Sequence, residues 1–336
     1  MTQQFAVPPA GRLWRELQDL GAGPLALPWA RASRPLSVVR ARRGFARLLS
    51  AVKPDAAVFH GSWSHAMFAS VARAHGALIA FWQHTPIMNP HWPDRWASWT
   101  APDVLIANSR FTATALAFPR AAAHVIYCAV PAPGAIPAES RRAGRAALGA
   151  TDADLVVLLA ARLEMTKGHQ VLVDAARLLD RRDVSIWIAG GVQRQEERPY
   201  LEQLTASAAG LRTRVALLGE REDVPTLMQL ADVYCQPNLV PEPFGIAIAE
   251  AMRAGLPCVV SNAGGAAELV DRTCGIVTEP GDTAGVAAAI ARLAADPAAR
   301  TSMGRAAASR AALLTDPAGR LADMAAALTL QPTHAR

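Results

Sequence analysis

The chain has 336 residues and a net charge of +6, with 51% hydrophobic and only 18% charged residues. The length predicts about two domains at roughly 150 residues each, and the apolar fraction excludes a disordered chain. No apolar run approaches the roughly 18 residues of a membrane span, and the N-terminus lacks the basic and apolar parts of a signal peptide. We therefore expect a cytoplasmic protein with reduced thiols at its four widely spaced cysteines.

Short apolar strands alternate with amphipathic helices along almost the whole chain, which is typical of parallel βαβ architecture. The first half has five candidate strands: residues 24–28, 56–60, 78–82, 104–108 and 125–128. The second half has six: residues 155–160, 185–189, 215–218, 233–236, 257–260 and 275–278. We predict an α/β protein with two doubly wound, Rossmann-like parallel sheets, and a ligand cleft at the carboxyl ends of the strands.

Composition changes along the chain predict where the domains begin and end. The stretch AVPAPGAIPA, residues 129–138, is rich in proline and alanine and is typical of a linker. We expect an N-terminal domain over 1–130, a linker over 131–138, a C-terminal domain over 139–315 and a helix or tail over 316–336. Whether this tail crosses back to the N-terminal domain is left open.

The strongest chemical signal is the segment EPFGIAIAE, residues 242–250. Gly245 lacks a Cβ and precedes a predicted helix starting near Ile246, so backbone N–H groups there can approach an anion such as a phosphate. Glu250 lies one turn into this helix, where it can accept hydrogen bonds from a vicinal diol, as on a ribose. Glu242 is expected to face the group that the phosphate carries. A carboxylate on a largely apolar helix needs a partner, which favours binding over a solvated position.

A second signal follows the predicted strand at residues 155–160. Arg162 and Lys167 flank a short turn there, where both cations can point into the cleft and neutralise a diphosphate. Taken alone, the pair is equally compatible with ordinary surface cations. Gly264 and Gly265 can also present amides to a phosphate, and they are weaker candidates.

Four segments in the second half together resemble glycosyltransferase family 4, a family of retaining, nucleotide-sugar-dependent enzymes with the GT-B fold. They are RLEMTKGHQVLVDAARLL, LGEREDVPTLMQLADVYCQPN, EPFGIAIAEAMRAGLP and SNAGGAAELVDRTCGIVTEPGD, within a match from about Arg141 to Asp282. The resemblance implies that Arg162 and Lys167 bind the donor diphosphate. GT-B enzymes generally need no bound metal, so the resemblance also implies that this protein needs no metal or other cofactor.

The same resemblance assigns roles to the residues around the predicted turn. It implies that Glu242 contacts the transferred sugar, that Phe244 and Gly245 shape its loop, and that Glu250 holds the ribose. Ile246 joins these residues as a donor-binding candidate at the start of the helix.

The first half resembles the family more weakly, through PDAAVFHGSW, FWQHT and DVLIANSRFTATAL. FWQHT matches a strand that ends in a histidine near the donor sugar, so the resemblance makes His84 its counterpart. Nearby aromatic residues are either acceptor-pocket candidates or ordinary core residues: Trp82, His91, Trp92, Trp96 and Trp99.

The start of the chain departs from the family pattern, because QFAVPPAGRLWRELQDLG already resembles the end of the second strand. We expect an N-terminal sheet that lacks its first βα unit, whose strand is central in the order 3-2-1-4-5-6. Three explanations stay open: a start further upstream, which we favour, another segment that fills the gap, or a defective domain.

The segment SVVRARRGFARLLS spaces apolar residues and arginines on different helix faces. It predicts either a solvated helix that covers the sheet or a helix that adheres to anionic lipid at the inner face of the membrane. Charge alone is also compatible with nucleic acid, but we expect no nucleic-acid partner.

The expected function is transfer of a sugar, with retention, from a UDP- or GDP-linked donor to a glycan or lipid-linked acceptor. Cell-surface polysaccharide or glycolipid synthesis is the expected setting. Because the first βα unit is missing, a non-catalytic nucleotide-sugar-binding pseudoenzyme is the alternative.

Overall fold

The computed structural model describes residues 2–118 and 122–329. These residues divide into two units. The first contains the described residues up to Ile126 together with those from Leu321 onward, and the second is Tyr127–Arg320.

The first unit contains two parallel sheets. Its strands are β1 (Ala6–Val7), β2 (Leu25–Ala26), β3 (Ala56–His60), β4 (Leu78–Gln83), β5 (Val104–Ala107) and β6 (Ala123–Val125). Its helices before the linker are α1 (Arg12–Asp19), α2 (Pro35–Val52), α3 (Gly61–Ala74), α4 (Trp92–Ala97) and α5 (Arg110–Ala113). β1 pairs with β2, while β3, β4, β5 and β6 form a four-stranded sheet in chain order. In the described ranges no strand pairs with the outer edge of β3, so the sheet is split where the sequence predicts a missing βα unit.

The predicted strand at 125–128 is wrong in its position, because β6 ends at Val125. Val125 pairs with Ala107, the last residue of β5, and the Ile126 N–H then donates to the carbonyl of Ala107. β5 offers no backbone partner beyond this point, because the chain turns into α5 with Ser109 as its N-cap.

The core of the first unit is formed by helices packed on the four-stranded sheet. Phe45 of α2 packs against Phe59 of β3 and Phe68 of α3, with ring centroids 6.2 and 4.9 Å away. These rings supply the large apolar area that holds the helices to the sheet.

The second unit is a six-stranded parallel sheet covered on both faces. Its strands are β7 (Leu155–Ala160), β8 (Val184–Ala189), β9 (Arg214–Gly219), β10 (Val233–Gln236), β11 (Cys258–Ser261) and β12 (Gly275–Thr278). The helices are α6 (Ala138–Ala147), α7 (His169–Leu179), α8 (Arg198–Ala208), α9 (Val224–Leu230), α10 (Ile246–Arg253), α11 (Ala266–Leu269), α12 (Thr283–Ala295) and α13 (Pro297–Thr315). The last helix, α14 (Pro317–Thr329), begins in this unit and continues in the first. Short 3-10 helices lie at Met165–Lys167 and Gln195–Glu197.

The strand order in this sheet is β12-β11-β10-β7-β8-β9. Numbered from β7, this is the doubly wound order 3-2-1-4-5-6 read from the other edge, as the alternation of strands and helices predicts. β7 is apolar throughout because both of its faces are buried: Leu158 and Leu159 face opposite cores and neither is exposed to solvent.

The C-terminal helix α14 carries the chain back to the first unit. Its Met324 and Ala327 pack with Ala80 of β4 and Ile106 of β5. All four cysteines are free thiols. No helix in the described ranges combines the length and the apolar character needed to span a bilayer.

Candidate functional site

The site in the second unit lies where the direction of the sheet reverses. β7 and β10 are neighbours, and the helices that follow them, α7 and α10, belong to hydrophobic cores on opposite faces of the sheet. The chain therefore leaves the carboxyl ends of these two strands in opposite directions and opens a crevice there. Such a switch point is where open α/β sheets bind ligands.

The two loops that border this crevice are held together by their backbones. The Leu239 N–H donates to the carbonyl of Thr166 at 2.9 Å. Gly168 has a φ of +78°, and a Cβ at this position would collide with the carbonyl oxygen of Pro237. Only glycine allows this approach without strain, so the turn that carries Lys167 lies directly against the loop after β10.

The Glu242 carboxylate is held by three donors on one oxygen. Its Oε2 accepts hydrogen bonds from Lys167 Nζ at 2.7 Å, Asn238 Nδ2 at 2.9 Å and Gln236 Nε2 at 3.2 Å. Gln236 is itself fixed, because its Oε1 accepts a hydrogen bond from the Tyr234 hydroxyl at 2.6 Å. Among the described residues no donor reaches Glu242 Oε1, so this oxygen is the one left for a ligand.

Lys167 and Glu242 form a partly buried ion pair, with 19% and 13% of their side chains exposed. The sequence predicts both residues at this site, and the structure brings them together directly. One N–H of the ammonium points to Glu242, and two further donors remain for an anion.

The loop that carries Glu242 is anchored by Gly264 and Gly265. Glu242 forms a parallel bridge with Gly264, and the Gly265 N–H donates to the Glu242 carbonyl at 2.6 Å. The sequence predicts these glycines as amide donors to a phosphate, whereas the Gly265 amide is engaged inside the protein. Phe244 is 2% exposed and stacks on Tyr127 at 5.7 Å, which fixes the loop from its other side.

Helix α10 begins directly after this loop. Gly245 is its N-cap with a φ of +96°, a conformation that glycine adopts without strain. The first amides of a helix have no partner within it, so those at Ile246 and the next residues can bind an anion. Ile246 itself is 53% exposed.

Glu250 lies one turn into α10 and is half-buried. Burial raises the pKa of its carboxyl. Among the described residues no donor reaches the Glu250 carboxylate, although such a group is stabilised by hydrogen bonds. A ligand hydroxyl would supply them.

Arg162 lies on the same loop as Lys167 but pairs differently. Its Nη1 contacts Glu164 Oε1 at 2.6 Å, and its side chain is 55% exposed. The structure therefore brings Lys167 and Glu242 together and holds Arg162 in a local pair on the solvent side.

His84 belongs to the first unit, where it follows β4. Its Nε2 is 2.9 Å from Nδ1 of His60. The His84 ring stacks on Trp82 with centroids 5.4 Å apart, and the His60 ring contacts the same indole in a tilted arrangement at 5.1 Å. Burial, with a smaller contribution from the charge of His60, lowers the pKa of His84 to about 4. His84 is therefore neutral near pH 7, and the bond to His60 leaves its Nδ1 for a ligand.

His84 lines a pocket of about 400 Å³ in the first unit, together with His91, Asp94 and other residues after β4. Trp92 and Trp96 stack on each other beside Trp63 and form a separate aromatic cluster.

Four residues of these sites are not predicted from the sequence: Tyr234, Gln236, Asn238 and His60. Gln236 ends strand β10 at the switch point and Asn238 follows two residues later. Two polar amides directly after a buried strand are a signal that could have indicated them. His60 ends the strand beside the one that leads to His84. Residues 2–118 and 122–329 contain no cluster of three His, Cys, Asp or Glu side chains that could hold a metal ion.

The second unit thus combines a doubly wound sheet with a cation and a helix N-terminus at its switch point, an arrangement with which open α/β sheets bind phosphate-bearing ligands. Residues 140–310 match the family Glycosyl transferases group 1, and because this is half of the chain, the chain belongs to that family.

Relatives and solved structures agree with this family. The chain is 37% identical over 158 residues to a phosphatidyl-myo-inositol mannosyltransferase of Mycobacterium leprae, covering 45% of this chain and 39% of that protein. It is 35% identical over 170 residues to an alpha-D-kanosaminyltransferase of Streptomyces kanamyceticus, covering 49% of this chain and 43% of that protein. The matches thus span less than half the length of these relatives.

A solved structure shows the GT-B fold over nearly the whole chain. HepE of Anabaena, in complex with UDP and glucose, superimposes with a TM-score of 0.82 at 24% identity, covering 97% of this chain and 91% of that one. The predicted GT-B fold and the resemblance to glycosyltransferases are confirmed.

Proposed function

We propose that this protein is a retaining glycosyltransferase of the family 4 type. It takes a sugar from a UDP- or GDP-linked donor and transfers it to a glycan or lipid-linked acceptor. The observation that carries the proposal is the Glu242 carboxylate, which three donors hold by one oxygen at the switch point of the second unit.

The donor diphosphate binds between Lys167 and the start of α10. The ammonium has two donors left beside its bond to Glu242, and the amides at Ile246 and the following residues supply an anion site on the other side. Arg162 joins them by exchanging Glu164 for a phosphate, which its 55% exposed side chain allows. Glu250 accepts hydrogen bonds from the ribose hydroxyls.

Glu242 Oε1 accepts a hydrogen bond from a hydroxyl of the transferred sugar. Because Oε2 is fixed by Lys167, Asn238 and Gln236, the carboxylate is oriented before the donor arrives, and less entropy is lost on binding. Such orientation of the sugar is what a transfer reaction needs.

In the reaction, the bond between the anomeric carbon and the donor phosphate breaks, and the nucleoside diphosphate leaves with the electron pair. The acceptor oxygen bonds to the anomeric carbon on the same face, and its proton passes to the leaving phosphate. Lys167, Arg162 and the α10 amides stabilise the negative charge that develops on that phosphate, which is usually the largest contribution to catalysis. No bound metal or other cofactor is required in this scheme.

The resemblance makes His84 the counterpart of a histidine that lies near the donor sugar, and Nδ1 is the atom that His84 offers to a ligand. The acceptor is a glycan or a lipid-linked molecule of cell-surface polysaccharide or glycolipid synthesis. The relative from Mycobacterium leprae, named for mannosyl transfer to a phosphatidylinositol, supports a lipid-linked acceptor.

A donor panel tests the proposal. UDP- and GDP-sugars are incubated with the protein and cell-envelope glycolipid extracts, and release of nucleoside diphosphate is measured, with product anomers assigned by NMR. We expect release from one donor and an α-linked product from an α-linked donor. Saturable donor binding without release on any acceptor would instead indicate the pseudoenzyme, and an inverted anomer would contradict retention.

A further inference from the structure

The positive charge of this protein is concentrated in one segment of the first unit. Between Asp19 and Asp55 the sequence contains no acidic residue and seven basic ones, while the whole chain carries only +6. The rest of the chain is therefore close to neutral in net charge, so this segment accounts for the net positive charge of the protein.

Helix α2 places three of these arginines on one outer face. Arg40, Arg43 and Arg47 recur every three or four residues and are exposed. Within the described residues their side chains form no ion pair and no hydrogen bond. The opposite face of α2 is buried through Ala41, Phe45 and Leu49.

Arg42, on the flank of the same helix, behaves differently from these three. It donates to the carbonyl of Met67 at 2.9 Å and to Ser70 Oγ at 2.8 Å. The fold therefore uses one arginine of α2 to hold α3 and leaves the outer three free for a partner.

Large apolar side chains are exposed beside these arginines. Leu36 and Val39 lie on the same outer face of α2 and are 83% and 43% exposed. Trp29, in the segment before the helix, is 68% exposed, and its neighbour Pro28 packs against Gly44 of α2. An exposed group of apolar and basic residues of this kind marks an interaction surface.

We propose that this outer face of α2, with Trp29, binds the surface of an anionic lipid bilayer. Arginines attract the headgroup phosphates, and an indole and two aliphatic side chains enter the interfacial region. The phosphate backbone of a nucleic acid would satisfy the arginines but would leave Leu36 and Val39 in water. The proposed contact with the bilayer involves only residues 20–54, so the proposal does not depend on which donor the second unit binds.

Vesicle co-sedimentation of the full chain tests this surface. Mixed vesicles of phosphatidylcholine and phosphatidylglycerol are compared with phosphatidylcholine alone, at low and high salt. The variant Arg40→Gln/Arg43→Gln/Arg47→Gln is compared with a matched control, Arg182→Gln/Arg292→Gln/Arg305→Gln, which removes three exposed arginines of the second unit. Thermal melts verify that both variants fold.

We expect the protein to bind the mixed vesicles and not phosphatidylcholine alone, with weaker binding at high salt. The α2 variant should bind about 100-fold less, because each arginine near an anionic surface contributes about 1 kcal/mol. The control should bind within a few-fold of the unchanged protein. Absence of binding to mixed vesicles, or an equal loss in the control, would overturn the proposal.

A second variant separates a bilayer from other polyanions. Trp29→Ser/Leu36→Ser keeps every charge, so binding to mixed vesicles should decrease while retention on heparin stays unchanged. If this variant binds vesicles as the unchanged protein does, the face recognises negative charge alone, and the bilayer proposal is wrong.

Discussion

Replacing Lys167 by methionine removes the one charged donor that Glu242 has among the described residues and keeps a side chain of similar length. The carboxylate, 13% exposed, retains two neutral donors at 2.9 and 3.2 Å. A hydrogen bond to a charged group contributes about 1.5–3 kcal/mol, so we expect Lys167→Met to lower the free energy of unfolding by about 2 kcal/mol. The same change removes the ammonium from the leaving diphosphate, and turnover should fall at least about 100-fold, or about 3 kcal/mol.

Urea denaturation without ligand and donor turnover measure these two effects separately. The variants are Lys167→Met, Glu242→Gln and the two together. Because the residues contact each other, the double variant should cost less stability than the sum of the single ones, by about 1–2 kcal/mol. Arg142→Met is the matched control, since its 2.8 Å pair with Asp152 is largely exposed, and it should leave the urea midpoint unchanged.

Strictly additive stabilities in this cycle would refute the coupling inferred from the geometry. Turnover within a few-fold of the unchanged protein for both Lys167→Met and Glu242→Gln would refute the assignment of the site.

Three further predictions concern other residues. Gly168→Ala should lower the melting temperature more than Gly210→Ala, because both have a positive φ but only the first would also collide with backbone; equal losses would contradict this. Glu250→Gln should weaken binding of the donor nucleotide about 10-fold in calorimetry and leave the affinity for its 2′,3′-dideoxy analogue unchanged. An equal loss of affinity for both nucleotides would contradict the assignment of Glu250 to the ribose. Burial lowers the pKa values of His84 and His169 to about 4 in the folded protein, from 6.5 in the unfolded chain. Between these two pH values the unfolded chain therefore binds more protons than the folded protein does. The free energy of unfolding should therefore decrease from pH 6.5 toward pH 4, and His169→Gln should reduce that slope in urea titrations.

The second unit could be predicted well from the sequence, because its strands are buried on both faces and read as short apolar runs. β7, β10 and β12 begin and end where they are predicted. The functional candidates Lys167 and Glu242 follow the two strands that become neighbours at the switch point. Because the carboxyl ends of these two strands lie side by side, Lys167 Nζ and Glu242 Oε2 come within 2.7 Å of each other.

Other features depend on contacts that no local pattern encodes. Gln236 and Asn238 hold Glu242 only because β10 ends beside its loop, and the spacing of the residues does not show that their amides converge on one oxygen. The sequence likewise does not show that Arg162 pairs with Glu164. The position of β6 was missed because its partner, β5, decides where pairing stops.

A crystal structure with bound UDP or GDP tests the central claim most directly. We predict diphosphate oxygens within hydrogen-bonding distance of Lys167 Nζ and of the amides at the start of α10, with the ribose hydroxyls on Glu250. A nucleotide bound away from the junction of β7 and β10, with the Lys167–Glu242 pair unchanged and facing no phosphate, would contradict the account.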